Sequence, residues 1–278
     1  MKLPKPVLNQ ITEKNLDILM QDLPQSLLIT GPTGVGISTI ANYIASTLGG
    51  ITFTVLPEKN EKVDIEKGTI SVDSIRRLYT QTRSIQTGKL IIVIDYAERM
   101  AHQAQNAFLK LLEEPGRDVY FILATHTPSK LLPTVASRMQ SIDIRPISSV
   151  MSEKFIDKLG VNDLKKRSQL LFMADGLPAE LTNLAQNDEY FAKRSEIVRD
   201  ARDLFQAKIY KKMLIANKYK DDKDQALALL DMSMNILKRS ISEKPEISLI
   251  AQISSIQSAY ERISANGNIR LSLAKLVL

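Results

Sequence analysis

Cysteine is absent from the 278 residues, and histidine occurs twice, at His102 and His126. The first absence excludes disulfides, cysteine nucleophiles and thiolate metal sites. Two histidines are too few to hold a structural zinc by themselves. Long apolar runs are missing too: none approaches the ~20 residues that span a bilayer. The opening Met1-Lys-Leu-Pro-Lys-Pro6 has no apolar signal region after its lysines. These absences predict a cytoplasmic protein with no membrane contact and no bound metal.

What is present is ordinary for a globular protein: 44 % apolar and 24 % charged residues, enough to bury a sizeable core. The length suggests two domains, or three small ones. The net charge is +6. A basic balance favours contact with a polyanion such as nucleic acid, although a solvated basic surface produces the same number.

The first half alternates two kinds of segment. Leu27–Thr30, Ile51–Val55, Leu90–Ile94, Val119–Ala124 and Ser141–Ile144 read as strands. Leu90–Ile94 is a continuous β-branched run, the pattern of a strand buried on both faces. Between them, Ser38–Leu48, Val72–Ser84 and Ala104–Glu114 have helical spacing, and Leu131–Met139 suggests a short helix. Such alternation predicts a parallel sheet covered by helices. After Pro146 the strand signals fade, and helices with stops at Gly160, Gly176-Leu177-Pro178 and Pro245 follow. Lys208–Asp224, dense in charge of both signs, reads as a solvated helix face and a loop.

The most specific local pattern is Gly31-Pro32-Thr33-Gly34-Val35-Gly36-Ile37-Ser38, with Thr39 behind it. It follows a strand and opens a helix, the setting in which backbone N–H groups and a helix N-terminus face a phosphate. The spacing is that of G-x-x-x-x-G-K-[ST], but the lysine position holds Ile37. Losing one hydrogen bond to a charged group costs ~1.5–3 kcal/mol, and isoleucine offers no polar substitute. The pattern fits a phosphate loop by ancestry; for present function a Gly-rich turn without ligand is the favoured reading. Asp95 follows a buried strand, where such NTPases support Mg²⁺; a strand-end cap explains it equally well. Tyr96 comes next, and a phenol with a reference pKa near 10 is no base at neutral pH.

Beyond Asp95 the motifs Ala97-Glu98-Arg99-Met100, Ala104-Gln105-Asn106-Ala107-Phe108-Leu109-Lys110-Leu111-Leu112-Glu113-Glu114-Pro115, Phe121–Thr125, Pro128, Leu131-Leu132-Pro133-Thr134 and Ser137-Arg138 fall in one unbroken order. In that order they resemble the clamp-loader branch of the AAA+ family. Upstream Val72-Asp73-Ser74-Ile75-Arg76, and downstream Asn266–Leu273, are similar to further family segments. The resemblance implies a RecA-like α/β domain over 1–146, a small helical lid over 147–192 and a helical collar, the oligomerisation domain, over 193–278.

Three departures from the family matter. Met139 stands where a cysteine is usual. The cysteines of the zinc module that bacterial members insert are missing. Gly176-Leu177-Pro178-Ala179 replaces the lid's G-S-x-R, so the nucleotide-sensing arginine is absent. The loop lysine, the water-activating glutamate expected at 96 and the lid arginine are thus lost together, which is the condition of the delta-prime branch rather than of the ATPase subunits.

The resemblance then implies a non-hydrolysing subunit of the DNA polymerase III clamp loader. Its partners would be the ATPase subunits, the clamp-opening delta subunit, the sliding clamp and primer–template DNA. Arg138 would be an arginine finger reaching a neighbour's nucleotide, while Gly31, Gly34, Gly36, Ile37, Ser38, Thr39, Asp95 and Thr125 would be vestigial. No cofactor is expected, residual ATP or ADP included. Two rival readings are an ATP-binding clamp-loader subunit and a DNA-binding scaffold reusing the fold. Elemental analysis of purified, chelator-washed protein is expected to find no stoichiometric zinc; one zinc per chain would contradict the reading of the missing cysteines.

Overall fold

The computed structural model describes residues 2–84, 88–243 and 247–277. The expected stop at Pro245 lies outside them. Two compact units emerge, residues 1–185 and 186–278.

The first unit opens with α1 (Gln10–Leu19), capped by the Asn9 side chain, which accepts from the Ile11 N–H. Then follow β1 (Ser26–Thr30), α2 (Ile37–Leu48), β2 (Ile51–Val55), a hairpin of β3 (Glu58–Lys59) and β4 (Lys62–Val63), α3 (Val72–Ser84) and β5 (Leu90–Ile94). After these come α4 (His102–Glu113), β6 (Val119–Thr125), α5 (Pro133–Ala136) and β7 (Gln140–Asp143). The lid region adds α6 (Ser149–Lys158), α7 (Leu164–Ala174) and α8 (Pro178–Gln186), the last ending at the unit boundary.

The five long strands form one sheet in the order β2-β5-β6-β1-β7, every pairing parallel. The chain starts near one edge, crosses to the other, and returns to finish beside β1. Such reversals in strand order open a crevice at the carboxyl ends of the strands, the usual ligand position in open α/β sheets.

Strand alternation sorts the core into two layers. Leu28, Ile92, Ile94, Phe121 and Leu123 face α3 and α4 and pack with Ile75, Leu78, Phe108 and Leu111. Leu27, Ile29, Ile91, Val93, Ile122 and Ala124 face α1 and α2 and pack with Leu16, Leu19, Ile40 and Ile44. Phe108 meets Phe121 edge to face at 5.3 Å between centroids. Met139, at the family's cysteine position, is buried in the first layer.

The lid region is pinned at a close approach of backbones. Gly176 has φ +79, and a Cβ there would lie 2.4 Å from the Ile147 carbonyl oxygen. Its own carbonyl accepts from the Ile147 N–H at 2.8 Å. Only glycine combines that φ with that proximity.

The second unit is helical: α9 (Asp188–Gln206), α10 (Ile209–Lys218), α11 (Lys223–Glu243), α12 (Ile247–Ser264) and α13 (Ile269–Val277). The expected lid–collar boundary at 192/193 falls inside the continuous α9. Within this unit Tyr219 is buried and donates its hydroxyl to Asp200 at 2.8 Å. Burial and the neighbouring Asp200 push that phenol's pKa upward. Among the described residues no helix is long and apolar enough to cross a membrane.

Gly176→Ala is expected to cost about 1–3 kcal/mol through backbone strain plus the clash with Ile147. Gly160→Ala is the control: its φ is +73, but nothing lies within 4 Å of the added methyl. Denaturant midpoints should fall further for Gly176→Ala; equal midpoints would mean the lid turn tolerates a side chain.

Candidate functional site

The phosphate-loop pattern occupies the carboxyl end of β1, inside the crevice. Gly31 sits where a Cβ would come 2.9 Å from the Ile144 carbonyl oxygen, and Gly34 and Gly36 have φ +88 and +95. The loop therefore has the backbone shape its glycines permit. His126 adds a contact not read from the sequence: its Nδ1 lies 2.8 Å from the Gly31 carbonyl oxygen.

Ile37 opens α2 and is 1 % exposed, packed in the apolar layer that faces α1 and α2. A lysine at this position would bring charge to a phosphate; the isoleucine faces hydrocarbon. Ser38, next in line, lies near the Asp95 carboxylate, which accepts from the Tyr96 N–H at 3.0 Å. Burial raises the Asp95 pKa, opposed by the nearby Ser38 hydroxyl, the Tyr96 N–H and His126. Asp95 thus closes the turn after β5 through the Tyr96 N–H.

Tyr96 takes a left-handed backbone, φ 53, and its ring lies edge-on to His126 at 6.1 Å. Burial raises its pKa, so the phenol keeps its proton at neutral pH. Thr125 is fully buried at the end of β6, and its hydroxyl accepts from the Thr127 N–H at 3.1 Å.

The first turn of α8 packs against the loop. The N–H groups of Ala179 and Glu180, in the first turn of α8, donate to the Gly34 carbonyl at 2.9 and 3.1 Å. A Cβ on Gly34 would come 3.1 Å from the Glu180 Cβ, and one on Gly36 3.7 Å from the Ala179 Cβ. The residue replacing the expected lid arginine is thus a methyl group packed beside the loop. With an apolar residue for the lysine and a phenol for the base, these side chains do not fit a hydrolytic Mg²⁺–nucleotide site.

Arg138 lies elsewhere. It precedes β7, whose Gln140 is in register with Leu27 near the start of β1. The loop begins beyond the far end of β1, about 13 Å along the strand at ~3.3 Å per residue. Arg138 is therefore at the opposite end of the sheet from its own loop. Its side chain is 40 % exposed and bonds Glu113 at 2.9 Å and the Thr134 carbonyl at 3.1 Å.

Gln105 braces the segment leading to it. This buried amide donates to the Met100 and Lys130 carbonyls, both at 3.1 Å, and accepts from the Leu132 N–H at 2.7 Å. Neither Gln105 nor Glu113 was a candidate from sequence, because both act through non-local contacts.

Comparison with known proteins is consistent with this geometry. Residues 51–148 match the family model described as DNA polymerase III, delta subunit. The chain is 25 % identical to DNA polymerase III subunit delta′ of Bacillus subtilis over 235 residues, 74 % of this chain and 70 % of that one. It is 30 % identical to subunit delta′ of Pseudomonas aeruginosa over 161 residues, 56 % of this chain and 47 % of the relative. The chain is similar in sequence to these delta′ subunits. The match to the Pseudomonas relative spans about half of that protein's length.

Among solved structures, a gamma-subunit-related protein of DNA polymerase III from Thermotoga maritima superposes with a TM-score of 0.53 at 17 % identity. That comparison covers 95 % of this chain and 96 % of the other. The fold is the expected RecA-like α/β domain followed by helical regions. The delta-prime relationship concerns sequence; the nucleotide chemistry rests on the residues above.

The isolated protein is expected to show no ATP turnover, with or without DNA. A stimulated rate near 1 s⁻¹, the low end of typical enzyme values, would contradict the assignment of Ile37 and Tyr96.

Proposed function

We propose that this chain is a non-hydrolysing, delta-prime-type subunit of the DNA polymerase III clamp loader, and that it lends Arg138 to a neighbouring ATPase subunit. The observation that supports this most strongly is a separation. The chain's own loop has lost its cation to the apolar core, while an exposed arginine stands at the opposite end of the sheet, out of reach of that loop. An arginine so placed is useful to a second molecule. Its planar fork is charged at any working pH and can bind two phosphate oxygens at once, and it would stabilise the charge on a transferring phosphoryl group.

In this reading residues 1–146 are the AAA+ domain, 147–192 the lid and 193–278 the collar through which subunits assemble. The partners are the ATPase subunits, the clamp-opening delta subunit, the sliding clamp and primer–template DNA. No resident nucleotide is required. Helix α10 supports the assembly role: Ile209, Tyr210, Met213 and Leu214, at i, i+1, i+4 and i+5 spacing, are each more than half exposed. A contiguous apolar helix face left open on a soluble unit marks an interaction surface.

Arg138→Ala is expected to leave the chain folded and assembled, and to lower both DNA-stimulated ATPase and clamp loading when reconstituted with the cognate subunits. Finger arginines are worth ~10³–10⁵ in GTPase systems, but the bulk effect here is smaller because one site among several borrows this residue. Arg138→Lys should restore little, since a point charge lacks the fork. Unchanged ATPase and loading would make Arg138 an ordinary surface residue.

The collar has its own test. Tyr210→Asp combined with Leu214→Asp should weaken assembly roughly tenfold or more, the scale of buried interface anchors, without lowering the chain's unfolding midpoint. Unimpaired assembly would remove α10 from the interface.

A further inference from the structure

We infer that Glu113 is a positioning residue for Arg138: α4 carries at its C-terminal end the carboxylate that aims the guanidinium at the neighbouring subunit. The inference rests on the trans role of Arg138 proposed above and deepens it. Arg138 projects from a turn closed by its own N–H on the Val135 carbonyl at 3.2 Å and the Ser137 N–H on the Pro133 carbonyl at 2.9 Å. The turn fixes the Cα, but a free arginine side chain would still sample many rotamers. Two side-chain bonds remove that freedom: Nη2 donates to Glu113 Oε1 at 2.9 Å and Nη1 to the Thr134 carbonyl at 3.1 Å.

A guanidinium has five N–H donors in a fixed fork. Two are committed to the chain's own acceptors, and three remain for a phosphate. The two contacts are made by different nitrogens, so together they restrict rotation of the guanidinium. The same helix anchors the approach to the turn, because Gln105 on α4 holds Lys130 and Leu132. Helix α4 thus braces the arginine-bearing segment at two points, one backbone and one side chain.

Glu113 and Arg138 are both substantially exposed, 51 % and 40 %, and exposed pairs add little to stability. Their pairing matters for geometry. Ordering a long side chain before a partner arrives spares that cost at the moment of contact, which is worth about two- to tenfold.

The test is a double-mutant cycle in the reconstituted clamp loader with primed DNA and clamp. The quantity read is the Arg138-dependent part of the ATPase, the wild-type rate minus the Arg138→Ala rate. Glu113→Ala is expected to cut that part about two- to tenfold, with assembly and unfolding midpoint unchanged. Glu113→Gln, which keeps an acceptor oxygen at the same reach, should retain most of it. In the Arg138→Ala background, Glu113→Ala should change nothing further.

Equal effects of Glu113→Ala with and without Arg138 would overturn the inference, as would a wild-type rate in Glu113→Ala alone. A rise in the Arg138-dependent part would show Glu113 restraining the arginine rather than aiming it, and would equally overturn it. If Arg138→Ala itself matches wild type, the trans role has failed, and that outcome is separate from the others.

Discussion

The apolar side chains of the three central strands are committed to packing. Both faces of β5, β6 and β1 are covered, so Ile91 and Ile92, or Phe121 and Ile122, go to opposite apolar layers and none is free for chemistry. A parallel sheet buried in this way leaves only its strand ends for function. Here the two ends have different contents. The carboxyl end of β1 holds a phosphate-loop shape emptied of its cation, and the end where β7 begins holds an exposed arginine. The proposed division of labour, no catalysis within the chain and an arginine for a neighbour, follows from that polarity.

The emptied loop keeps its shape for physical reasons that do not need a ligand. Ile37 joins the core, Asp95 accepts from the Tyr96 N–H, and the first turn of α8 donates two N–H groups to the Gly34 carbonyl. Helix N-terminal N–H groups are orphan donors that must find acceptors. In this chain part of that demand is met by the loop itself, so α8 and the loop are joined by backbone hydrogen bonds.

Much of this was legible in the residues. Leu90–Ile94 announces a doubly buried strand because its β-branched run is continuous, and the helix after the loop is announced by Gly36 and by the spacing of Ile40, Ala41 and Ile44. The order of the short motifs from Ala97 to Arg138 pointed to the clamp-loader family before any coordinates. Local signals also existed for elements that went unread. Asn9 caps α1, and the hairpin of β3 and β4 turns through Asn60 and Glu61, both at positive φ, the requirement of a tight two-residue turn.

Other features could not be read locally. The segment 131–139 resolves into a four-residue helix and a turn, because Pro133 starts α5 and carbonyl-satisfying turns finish it. The contacts of Glu113 with Arg138, His126 with Gly31, and Gly34 with α8 join residues 25, 95 and 145 or more positions apart. No spacing rule reaches across such distances; each exists only once the sheet has brought its strands into register.

The most direct measurement is complementation in trans. An ATPase subunit whose own finger arginine has been replaced by alanine is mixed with this chain, clamp and primed DNA, and hydrolysis is followed. The wild-type chain should restore turnover at one site per assembly, and the Arg138→Ala chain should not. Equal turnover with both chains, or turnover traced to nucleotide bound by this chain itself, would contradict the account.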